Sequence, residues 1–76
     1  TVMVKYTLSV VIEKDRFGYY AQCPALQGCY SQALTYEELM RKMRDACALH
    51  LRDRLDHGEE IFVPEMVSVA TVEVAA

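Results

Sequence analysis

Glu13, Asp15 and Glu37 are the residues best placed to do chemistry as a group. Converging carboxylates can hold divalent cations that activate water. Here the three acids fall near strand ends and a helix start. Glu13 and Asp15 belong to a charged run, Glu13-Lys14-Asp15-Arg16-Phe17-Gly18, that reads as a hairpin loop. Glu37 stands in a first helical turn, where the helix dipole favours an acid without any ligand. Structural or solvated roles are therefore expected, with no metal site. His50 falls in an apolar helix arc and His57 in the last helical turn. Neither has an evident acid partner and nucleophile, so no catalytic residue and no enzyme are expected. Cys23, Cys29 and Cys47 are odd in number and lack CxxC spacing, which argues against a disulfide framework and a zinc site. They read as small buried apolar residues of a reducing cytosol. Pairing of Cys23 with Cys29, which flank a turn, is the lesser reading.

The five tyrosines are a better clue. Tyr20 and Tyr30 alternate with Gln22 and Gln32 on what should be an uncovered sheet face. Tyrosine is enriched at the centres of protein interfaces. Exposed aromatics also stack RNA bases. The net charge of −3 lacks the basic footprint of a nucleic-acid binder and favours a protein partner.

The elements that would position these residues follow from periodicity. Val2, Val4, Tyr6, Leu8, Val10 and Ile12 recur at every second position, the pattern of a strand with one buried face. Lys5, Thr7 and Ser9 alternate with them. Tyr19 to Cys23 makes a second strand, and Pro24 ends its pairing. Gly28 permits a reversal, and Cys29 to Ala33 makes a third strand. Thr35 is an N-cap with Glu38 three residues on, a capping box, and Leu34 with Leu39 forms a hydrophobic staple. Leu39, Met40, Met43, Ala46, Cys47, Leu51 and Leu55 share one helical arc. Glu37–Arg41 and Glu38–Lys42 are spaced for ion pairing. Gly58 marks the helix stop. Met66 to Val74 reads as a fourth strand, apolar on both faces, so Val67, Val69, Val72 and Val74 are expected at an interface with another copy.

The expected fold is α+β, in the order β-β-β-α-β, with one helix across a small sheet. Seventy-six residues make a single domain, with 53% hydrophobic residues to build its core. No run approaches the ~18 apolar residues of a membrane span, and no leader is legible. A cytoplasmic chain with no membrane contact is expected.

Tyr6 to Glu65 resembles the HicB-type antitoxin domain. The pieces are Ile12-Glu13-Lys14-Asp15, Gly18-Tyr19-Tyr20, Pro24-Ala25-Leu26-Gln27-Gly28-Cys29, Ser31 and Thr35-Tyr36-Glu37-Glu38. Gly58-Glu59-Glu60-Ile61 and Pro64 follow as a family-like exit. Departures are Ala33 where the family often has Gly, Leu39 where Ala is common, and His50 at a usually apolar position. The resemblance implies a partly degraded ribonuclease-H-like fold without a cofactor. It also implies neutralisation of a small HicA-type mRNA-cleaving toxin, and self-association as dimers or tetramers. Many family members continue into a DNA-binding domain beyond the point where this sequence ends, so no DNA contact is expected through this chain. Glu13, Asp15, Glu37 and Glu38 would complement basic toxin residues, with Tyr20 and Tyr30 as anchors beside Gln22. A stand-alone oligomeric domain binding RNA or a metabolite is the alternative. A metal-dependent nuclease is a third reading.

Overall fold

The computed structural model describes residues 4–76. Three strands and one helix follow in chain order: β1 (Val11–Asp15), β2 (Gly18–Gln22), β3 (Tyr30–Ala33) and α1 (Tyr36–Asp56). The sheet is an antiparallel meander in the order β1-β2-β3. Its register fixes two faces, because directly opposed residues point the same way. Ile12, Ala21 and Ser31 align on the face under α1. Glu13, Tyr20 and Gln32 align on the other, as do Val11, Gln22 and Tyr30.

The core lies between α1 and the first of these faces. Ala21, Cys23, Leu26, Cys29, Leu39 and Met43 are buried, with Leu8, Val10, Ile12 and Ile61 packed against them. Burying a Leu or Met side chain stabilises by about 1.5–3 kcal/mol. Ala21 is small enough to let the helix approach β2. The turn after β2 supplies Leu26 as a plug. Cys23 N–H donates to Cys29 C=O at 3.0 Å, Leu26 N–H to Cys23 C=O at 3.1 Å, and Cys29 N–H to Leu26 C=O at 3.0 Å. The Arg54 guanidinium donates to the Gln27 carbonyl and so ties this turn to the far end of α1.

The helix begins and ends as local chemistry requires. The Thr35 hydroxyl accepts from Glu38 N–H at 3.2 Å. Gly58, at φ +73°, follows the last turn. The Glu38 carboxylate reaches Lys42 at 3.6 Å and Arg41 at 4.0 Å. The capping acid is thus drawn along the helix, and Arg41 meets Glu38 where the spacing suggested Glu37. Leu34 is 78% exposed while Leu39 is fully buried, so the expected staple does not close.

Three boundaries differ from the sequence reading. Among the described residues the first strand starts at Val11, although Leu8 and Val10 still contribute to the core. The Val2 part of that expected strand lies outside the described residues. The hairpin loop shortens to Arg16-Phe17, because Glu13, Lys14 and Asp15 pair with Tyr20, Tyr19 and Gly18. One Asp15 oxygen accepts from Phe17 N–H at 2.8 Å and Gly18 N–H at 3.2 Å, which closes a two-residue turn. Residues 66–74 do not form the expected fourth strand. A strand needs a ladder partner for its N–H and C=O groups, and among the described residues nothing pairs with this segment.

Gly18 has φ +143°, and a Cβ there would meet the Ala33 carbonyl oxygen at 2.7 Å. Gly18→Ala is expected to destabilise by about 2 kcal/mol, from backbone strain and displacement of β3. Urea denaturation checks this. At the helix end, His57 Nδ1 lies 2.6 Å from the Asp53 carbonyl oxygen and 3.6 Å from its carboxylate. The carbonyl contact, then the Asp53 charge, raises the His57 pKa above its ordinary 6.5. A raised folded-state pKa stabilises most below 6.5, and the contribution is lost as pH rises through the folded value. The Tm is therefore expected to fall with pH over this range, with a shallower slope in His57→Gln.

Candidate functional site: the uncovered sheet face

The helix lies over one face of the sheet, and the other face is the candidate site. Tyr20 on β2 and Tyr30 on β3 are diagonal neighbours there. Their rings stack with centroids 6.1 Å apart and planes 29° apart. Tyr20 is 38% exposed and Tyr30 57%. An offset pair of this kind is a stiff apolar platform with two hydroxyls at its rim. Gln22, Gln32, Val11 and Glu13 surround it on the same face.

Tyr20 borders two shallow hollows. One, of about 480 Å³, opens towards the turn after β2 and is lined by Gln22, Leu26, Cys29 and Tyr30. The other, of about 800 Å³, lies at the hairpin and includes Glu13, Asp15, Glu38 and Lys42 in its wall. The structure therefore places Glu13, Asp15, Tyr20 and Glu38 around one hollow, and Gln22 and Tyr30 beside Tyr20 around the next. Glu37 stands in the first turn of α1 and lines neither.

The acids are not equivalent. Asp15 is held by the turn amides, and Glu38 is partnered by Lys42 and Arg41. Glu13 projects from β1 directly across from Tyr20. No group of three His, Cys, Asp or Glu residues that could hold a metal ion occurs among the described residues. His50 lies half-buried on α1, and His57 is an exposed helix-end residue. Val67 is half-buried, whereas Val69, Val72 and Val74 are exposed, well away from the tyrosine platform in sequence.

Sequence reasoning missed three features. Phe17 at the hairpin tip is 73% exposed, with the Arg16 guanidinium 4.9 Å from its ring centroid. Phe17 and Leu34 both line the hairpin hollow and add apolar surface beside Tyr20. Their positions between elements were the available signal. Lys42 Nζ donates to the Gln32 carbonyl at 3.2 Å, reaching from the helix to β3. The i,i+4 spacing from Glu38 hinted at an ion pair but not at this second contact. Tyr19, by contrast, turns to the helix side, where its ring meets Tyr36 edge-on at 6.1 Å and Lys14 at 5.6 Å.

The amino-acid sequence matches a known family. The family described as the HicB-like antitoxin of bacterial toxin–antitoxin systems matches residues 8–75. The chain belongs to the HicB-like antitoxin family. A UPF0150 protein of Helicobacter pylori is 44% identical over 69 residues, covering 90% of this chain and 94% of that protein. A UPF0150 protein of Archaeoglobus fulgidus is 41% identical over 66 residues, covering 83% and 94%. The UPF0150 protein ssr1765 of Synechocystis is 40% identical over 57 residues, covering 74% and 72%. Among the described residues no helix is long and apolar enough to cross a membrane.

Proposed function

We propose that this HicB-like domain is a non-enzymatic, cytoplasmic antitoxin that binds and neutralises a small HicA-type mRNA-cleaving toxin through its uncovered sheet face. The observation that carries this reading is the exposed Tyr20–Tyr30 stack on the face opposite α1. Stacked tyrosines provide large contact area with little side-chain freedom to lose, the profile of an interface anchor. Family membership supplies the toxin as partner class.

The charge pattern supports a protein over an RNA. The residues directly opposite Tyr20 are Glu13 and Gln32, and those opposite Gln22 are Val11 and Tyr30. None is basic, and a nucleic-acid platform would need cations for the phosphates. Glu13 would meet Lys or Arg residues of the toxin on this face, with Glu37 outside it at the start of α1, while Asp15 and Glu38 shape the surface as well as charging it. Such charges steer the encounter more than they hold the complex.

Self-association belongs to the same reading. Residues 66–74 carry Met66, Val69, Val72 and Val74 at 78–84% exposure, a β-rich segment with no ladder. A second copy would cover it.

Binding to a HicA-type toxin encoded beside this chain is expected to weaken about tenfold or more in Tyr20→Ala and in Tyr30→Ala. Calorimetric titration measures it, with circular dichroism to confirm that the variants fold. Unchanged affinity in both would overturn the platform, and no binding by the parent chain would overturn the partner. Light scattering is expected to show an oligomer that dissociates in Val72→Asp or Val74→Asp. A monomeric parent chain removes the self-association.

A further inference from the structure

We propose that Cys29 and Cys47 are a redox pair that closes to an intramolecular disulfide on exposure to a small disulfide oxidant, stapling the turn before β3 to the middle of α1. Their sulfurs lie 3.8 Å apart, although the residues are 18 apart in sequence. A disulfide bond is about 2.05 Å long, so the gap to close is under ~2 Å, within reach of small side-chain rotations. Cys29 is held on both sides of its peptide unit: its N–H donates to Leu26 and its carbonyl accepts from Cys23. The movement therefore falls to Cys47, which projects from a regular helix and is only half-buried.

The exposure difference also sets the order of events. Cys29 is 2% exposed and Cys23 3%, so Cys47 is the thiol that an oxidant reaches first. As thiolate, Cys47 attacks a sulfur of oxidised glutathione. Its S–S bond breaks, one glutathione thiolate leaves, and a mixed disulfide remains on Cys47. Cys29, giving up its proton, then attacks the Cys47 sulfur and expels the second glutathione. Two protein thiols are oxidised by two electrons. One external disulfide is reduced to two thiols, which take up the two protons. Cys23 remains a free thiol.

Burial, then the hydrogen bond shared with Cys29, pushes the Cys47 thiol up to about 12. Burial likewise raises Cys29. Thiolate is scarce at neutral pH, so closure is slow there; this governs its rate and not its equilibrium. The chain behaves as a dithiol until an oxidant persists. The closed form then carries a covalent link between the two layers on which Tyr30, the next residue after Cys29, depends for its position.

The test is incubation of the full chain with oxidised glutathione, acid quench, thiol titration in denaturant and non-reducing peptide mapping. The expected result is a fall from three free thiols to one, a Cys29–Cys47 cross-linked peptide, and a higher Tm that returns to its starting value with reductant. Cys23→Ser should close normally, whereas Cys47→Ser should form no intramolecular bond. Persistent glutathione adducts, links only between chains, or a Cys23–Cys29 or Cys23–Cys47 peptide as the main product would each overturn the assignment. The mapping is done on the parent chain, so its outcome does not depend on whether a variant folds.

Discussion

The packing of Leu39 and Met43 against Ala21, with Leu26 plugged in from the turn, is the contact on which the other parts of the molecule rely. A three-stranded sheet of four- and five-residue strands has little stability in water alone. A single helix is likewise marginal without an apolar face to bury. Each supplies what the other lacks. Because the sheet has one helix to cover it, only one face can be sealed, and every apolar or aromatic residue on the other face must meet solvent or a partner. The tyrosine platform is thus a geometric consequence of a one-sided core.

The same economy explains how small features carry weight. Asp15 closes a hairpin with one carboxylate oxygen and so fixes which residue of β1 faces Tyr20. Lys42 reaches across to a β3 carbonyl and ties the helix start to the edge of the sheet. An unpaired strand edge invites indiscriminate pairing, and a lysine placed on it is a common deterrent. The contact of Lys42 with Gln32 guards that edge of the sheet in this way.

Much of this was legible from sequence where the governing chemistry is local. The Thr35 cap, the stop at Gly58, the reversal from Pro24 to Gly28 and the alternation of Tyr20 and Tyr30 with Gln22 and Gln32 each depend on neighbouring residues, and each stands where expected. Failures came where a distant partner decides. The alternation from Val4 to Ile12 runs on regardless of whether a strand lies beside it, so it could not reveal that pairing begins at Val11. Leu34 has the spacing of a staple residue, but its direction is set by the end of β3, and it faces water. Residues 66–74 have strand composition without a strand's hydrogen bonds. The Lys42–Gln32 and Arg54–Gln27 contacts join residues whose proximity only the fold creates.

Everything turns on a sheet that is sealed on one side and open on the other. A soluble paramagnetic probe, added to the dilute isolated chain and read by proton NMR relaxation, addresses this asymmetry. Strong enhancement is expected at the rings of Tyr20 and Tyr30 and at the side chains of Gln22 and Gln32, with Ala21, Leu26, Leu39 and Met43 shielded. Shielded rings at Tyr20 and Tyr30 together with exposed methyls at Leu39 and Met43 would contradict it.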